Sequence, residues 1–174
     1  MSKELFKAIK KQDFNEIKNL LESGVNVNYC LDFGETPLLF AIFCNHKNIE
    51  LITLLIKHGA NVDQLRQDKL YPFYLACEYG NLELIKILID FCSDINKTCS
   101  DRTPLFIAAK NGYLDIVKFL IKNGADVNIK NNNDVSPLWI SVQFMDECYS
   151  FDNDLFLKQK KLAKILLNNG ANLI

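Results

Sequence analysis

Residues 103–128 open Thr103-Pro104-Leu105-Phe106-Ile107-Ala108-Ala109, pass through Gly112, Leu114-Asp115-Ile116-Val117 and Leu120, and close on Gly124-Ala125-Asp126-Val127-Asn128. A proline at a first helical position has no N–H to waste, and the threonine before it can cap the helix it opens. Gly112 interrupts the apolar run, and Gly124 can supply the left-handed residue that ends a second helix. The stretch therefore predicts two short helices folded into a hairpin. Its marks recur on both sides: Pro37, Pro72, Pro104 and Pro137 are separated by 35, 32 and 33 residues. Gly24, Gly59 and Gly124 keep the same step, with Cys92 where another glycine is expected, and Gly170 follows 46 residues after Gly124. The chain also repeats Thr36-Pro37-Leu38-Leu39-Phe40-Ala41, Tyr71-Pro72-Phe73-Tyr74-Leu75-Ala76 and Ser136-Pro137-Leu138-Trp139-Ile140-Ser141. One such hairpin has too little core alone, and stacking against its neighbours supplies it. Small residues such as Ala76, Ala108 and Ala109 let adjacent first helices approach closely.

With this pattern in phase along the chain, the sequence resembles the ankyrin-repeat family, whose period is about 33 residues and whose signature is Thr-Pro-Leu-His-x-Ala. The resemblance covers essentially all 174 residues. It implies an all-α solenoid of stacked helix-turn-helix units with short β-hairpin-like fingers. One domain is expected over 1–174, in units of about 1–30, 31–65, 66–97, 98–130 and 131–174.

The departures from the pattern carry their own expectations. The first unit has two helices, about Leu5 to Lys11 and Phe14 to Glu22, but no Thr-Pro, and reads as a cap whose Lys3, Lys7, Lys10 and Lys11 face water. Leu39, Tyr74, Phe106 and Trp139 replace the signature histidine, so packing is expected in place of its polar link. At the turn of the finger only Gly34 is a glycine, while Lys69, Asp101 and Asp134 stand in the others. Asp tolerates a left-handed backbone better than Lys, so the finger near Lys69 is expected to be the least regular. The last unit carries an insertion at about 145–159, acidic and aromatic, without Pro or Gly. It is expected either to form an extended helix pair or loop covering the C-terminal edge or to project as a recognition element, since insertions in repeat arrays sit on one face and loops carry function.

Composition narrows the chemistry. With 20 Lys+Arg against 21 Asp+Glu the net charge is -1, and no field favours a phosphate backbone. No apolar run approaches the ~18 residues of a membrane span. The six cysteines form no Cys-x-x-Cys pair, so free thiols in a reducing, cytoplasmic or otherwise intracellular setting are expected, non-classical export aside. Of these, Cys99 at a finger is the one expected to react with a thiol reagent. His46 and His58 lack partners at zinc-ligand spacing, so neither metal nor cofactor is expected. Arginine occurs only at Arg66 and Arg102. No Gly-x-Ser-x-Gly, His-Glu-x-x-His or phosphate-cradling glycine loop is present, and catalysis is not expected. Asn26/Asn28, Asn61/Asp63 and Asp126/Asn128 recur with the repeat and read as turn and inter-unit hydrogen-bonding residues.

Binding is the remaining class. The resemblance implies a monomeric module that holds a partner protein on the concave side formed by finger tips and first helices. The fingers would present Asp32, Phe33, Glu35, Gln67, Asp68, Leu70, Ser100, Arg102, Asn132 and Asn133, and the first helices Phe43, Glu78, Tyr79, Lys110, Asn111, Gln143 and Phe144. Exposed aromatics are enriched among interface anchors, and Tyr79 is the strongest single candidate. The alternative is an adaptor or host-directed effector whose specific contact is the 145–159 insertion.

Overall fold

The computed structural model describes residues 2–148 and 153–172, without the side chains of 144–148, 153 and 155. Among the described residues the fold is all-α, and its contacts gather into two compact units, Met1–Ser93 and Asp94–Ile174.

In the first unit, helices α1 (Ser2–Lys11) and α2 (Phe14–Glu22) form the opening hairpin, followed by α3 (Pro37–Asn45) with α4 (Ile49–Lys57), and α5 (Pro72–Glu78) with α6 (Leu82–Leu88). First helices pack on first helices, α1 on α3 and α3 on α5, and second helices follow suit, α2 on α4 and α4 on α6. The core they close includes Leu5, Ile9, Ile17, Leu38, Ile42, Leu55, Tyr71, Phe73 and Leu84, all fully buried. Lys3, Lys7, Lys10 and Lys11 are exposed on α1. In the second unit α7 (Pro104–Lys110) packs on α8 (Leu114–Lys122) and on α9 (Pro137–Cys148), and α10 (Asn153–Asn168) packs on α9 and α8.

Local sequence sets the ends of these helices. Thr36 and Thr103 accept hydrogen bonds from the backbone N–H of Leu39 (3.2 Å) and Phe106 (3.1 Å), and Ser136 does so from Trp139 (3.1 Å). Asn48 and Asn81 cap α4 and α6 in the same way. Gly59 and Gly124 end α4 and α8 at φ of +85° and +92°. Cys92 cannot take that conformation cheaply and sits at φ −80°, so α6 stops after seven residues and the chain leaves through a 3-10 turn at Ile89–Phe91.

The insertion lengthens helices. α9 has 12 residues against seven in α7, and α10 has 16 against nine in α8, so most of 145–159 continues the hairpin. Residues 149–152 lie outside the described residues.

The fingers are hairpin turns. At Leu31–Glu35, Arg66–Leu70 and Asn131–Val135 the first residue donates its N–H to the carbonyl four residues on, at 2.9–3.0 Å. Lys69 adopts φ +64° within this common geometry, so the Lys69 finger is regular, contrary to expectation. The different finger is the third, one residue shorter, where Cys99 and Arg102 exchange both backbone bonds around Ser100 (φ +46°) and Asp101 (φ +68°). Two successive left-handed residues make the two-residue loop that matches strand twist. The missing residue is the short 32-residue step between Pro72 and Pro104.

Candidate protein-binding surface

In the first unit the finger Leu31–Glu35 lies against the finger Arg66–Leu70, tied by a hydrogen bond from Gln67 N–H to the Phe33 carbonyl at 2.9 Å. Phe33 holds φ +67°, unusual for a bulky residue, and the residue is 71% exposed. Asp32, Gln67 and Asp68 are exposed, and Glu35, Phe43, Leu70 and Glu78 are half-buried. Arg66, which sequence reasoning passed over, organises them. Its Nε and one terminal nitrogen donate to the two carboxylate oxygens of Asp68, the first at 2.9 Å, and the other terminal nitrogen lies 4.0 Å from Glu35. Its guanidinium stands 5.0 Å from the centre of the Phe43 ring. That planar fork serves a carboxylate and an aromatic face together, which a lysine ammonium could not do.

The charges leave their mark on neighbouring groups. Hydrogen bonding to Arg66 holds the Asp68 carboxyl below its usual range, a link present at neutral pH and lost as pH falls through the lowered value. Its exposure keeps the contribution to stability small. Tyr79, 36% exposed, stacks on His46 with centroids 4.8 Å apart. Partial burial and then Glu78 raise its phenol pKa, against the pull of Arg66.

In the second unit Ser100, Asn132, Asn133 and Gln143 are exposed, and Arg102, Lys110 and Asn111 are half-buried. The Asn132 N–H donates to Asp101 at 3.2 Å, linking its two fingers. The side chain of Phe144 lies outside the described residues.

The recurring Asn and Asp residues are occupied by the backbone. Asn28 donates to the Gly59 carbonyl and accepts from Asn61 N–H, both at 2.8 Å, and Asn128 repeats this with Gly170 (3.0 Å) and Asn172 (2.9 Å). Asp63 accepts from Ser93 N–H and Asp126 N–H donates to Asn96, so these positions stitch successive turns within each unit.

Two sequence profiles of ankyrin repeats match the chain, one over residues 44–131 and one over 5–56. The chain belongs to the ankyrin-repeat family. Ankyrin repeats are in general protein–protein interaction modules, and the family is typically non-catalytic. Among relatives, this ankyrin-repeat chain is 34% identical to the 2-5A-dependent ribonuclease of Mus musculus over 73 residues, which is 41% of this chain and 10% of that protein. It is 39% identical to the Mus musculus ankyrin repeat, SAM and basic leucine zipper domain-containing protein 1 over 64 residues, 37% of this chain and 13% of that one. The matched segments are thus about a tenth of those relatives' length.

Two expectations need correction within the ankyrin-repeat frame. Packing replaces the signature histidine at Leu39, Tyr74 and Phe106, which are buried, but Trp139 is 43% exposed. Phe106 sits in α7 beside α9, whereas among the described residues no further proline-led helix lies on α9 to cover Trp139. Cys99 is not the accessible thiol: it lies at the base of the shortened finger and is 4% exposed, while Cys30 and Cys44 are exposed. Partial burial and the Glu35 carboxylate raise the Cys44 pKa, with Lys10 acting against them. Alkylation followed by mass spectrometry should therefore find Cys30 labelled ahead of Cys44 at neutral pH, and Cys77 and Cys99 labelled only on unfolding. Glu35→Gln should speed Cys44 labelling by about twofold to threefold. An unchanged rate would leave burial, and not the Glu35 carboxylate, as what holds the Cys44 pKa up.

Proposed function

We propose that this chain is a non-catalytic, monomeric binding module that holds a partner protein on the face made by its fingers and first helices, in an intracellular setting, without cofactor, nucleic acid or membrane. The observation that supports it most is the pair of large exposed rings in the first unit, Phe33 and Tyr79, together with the arrangement of Arg66, Phe43, Glu35 and Asp68. Rigid aromatics give contact area at low entropic cost, and Arg-organised polar groups around them supply direction.

The family membership supports the general class, and the near-balanced charge accords with a protein partner. An affinity pull-down from native lysate tests the face. Partner capture should survive Trp139→Ala with Leu157→Ser, which removes one exposed apolar side chain from each of α9 and α10, and should be lost with Phe33→Asn plus Tyr79→Ala. The opposite pattern would make the lengthened α9–α10 hairpin the recognition element and displace this reading. Circular dichroism and urea midpoints establish that the variants fold alike.

A further inference from the structure

We propose that the cleft between the first two fingers receives a lysine or arginine side chain from an extended segment of the partner. This rests on the protein-binding reading of the fingers and adds what the partner must present.

The cleft has a volume of about 510 Å3 and is lined by Asp32, Phe33, Glu35, Arg66, Gln67 and Asp68. Three carboxylates against one guanidinium leave its walls with a formal charge of 1 − 3, or −2. The one cation is already committed. Arg66 spends two nitrogens on Asp68, faces Glu35 with another and covers Phe43 with its plane. An incoming carboxylate would have to displace Asp68 from that fork while approaching Asp32 and Glu35. An incoming cation meets the opposite situation, because Asp32 is exposed and makes no ion pair among the described residues, and Glu35 is only loosely engaged at 4.0 Å. Phe33 then selects among cations. A small inorganic ion gains little from a wide cleft bordered by an exposed ring, whereas a lysine or arginine can lay its aliphatic stem on the ring and keep its charged head at the carboxylates. An extended backbone is the form that carries such a side chain into the space between adjacent fingers, which are joined by the Gln67–Phe33 hydrogen bond.

A random linear peptide library displayed on phage, selected on the full chain, supplies the probe. Recovered peptides should share a Lys or Arg. A fluorescein-labelled synthetic copy should lose about tenfold in affinity by anisotropy on Asp32→Asn plus Glu35→Gln, and about as much when its basic residue becomes glutamine. Combining the protein and peptide changes should add little beyond either, the sign of direct coupling. Asp68 stays untouched because it holds Arg66 in place. Recovery of peptides without a shared basic residue, additive losses, or no recovery at all overturns the proposal. If binding of such peptides still falls with Phe33→Asn plus Tyr79→Ala, the protein-binding reading of this face stands without it; if it does not fall, that reading fails as well.

Discussion

Phe33→Asn combined with Tyr79→Ala is expected to weaken partner binding by about a hundredfold while changing the unfolding free energy by less than about 1 kcal/mol. Each ring is counted as an interface anchor of about 1.4 kcal/mol, a tenfold change in affinity, at the modest end of what buried aromatic anchors contribute. The stability side follows from opposing terms. Phe33 is held at φ +67°, a conformation that costs an L-residue roughly 1–2 kcal/mol and that asparagine tolerates better. Little packing is lost with the Phe33 ring because it is mostly exposed. Removing Tyr79 gives up its stack on His46, about 0.5–1.5 kcal/mol by the usual strength of aromatic pairs. Urea unfolding and titration against the captured partner measure the two quantities separately. Unchanged affinity in a chain of unchanged stability would remove this face from the interface.

How far the sequence led differs from residue to residue, for physical reasons. Proline, threonine and glycine act within one turn of backbone, so Pro37, Pro72, Pro104 and Pro137 mark first-helix starts, and Gly59 and Gly124 mark second-helix ends. Cys92 was legible as a missing glycine, but its consequence, a seven-residue α6 finishing in a 3-10 turn, depends on how the chain resolves the missing left-handed residue. Cys99 was misplaced because a one-residue deletion moves a tip position to the base of the hairpin. The 32-residue step carried that signal. Trp139 shows a further limit: burial at a repeated position belongs to the neighbour that covers it, and a repeat average does not reveal that neighbour. Arg66 was missed because its role is collective, joining Asp68, Glu35 and Phe43 from different elements. The available hint was chemical, since only two of 20 basic residues are arginine, Arg66 and Arg102, and both stand in fingers.

Tyr71→Thr brings the chain closer to its own pattern, yet it is expected to lower stability by about 2 kcal/mol. Tyr71 stands where Thr36, Thr103 and Ser136 cap their helices, and α5 begins without a side-chain cap. Threonine there would supply the missing bond to the backbone, worth about 1 kcal/mol. Against this, Tyr71 is fully buried, with its ring 6.1 Å from that of Tyr74. Emptying an aromatic site costs about 3–5 kcal/mol for truncation to alanine, and threonine refills only part of the space. The cavity term therefore exceeds the cap. The same residue type at the equivalent position of α7 should respond in the simple sense: Thr103→Ala removes a buried capping bond and should cost about 1 kcal/mol. Urea denaturation of the two variants compares a gained cap with a lost one. If Tyr71→Thr raises the midpoint, the site around position 71 closes over the lost ring at small cost, and capping, not the packing of Tyr71, sets the stability of α5.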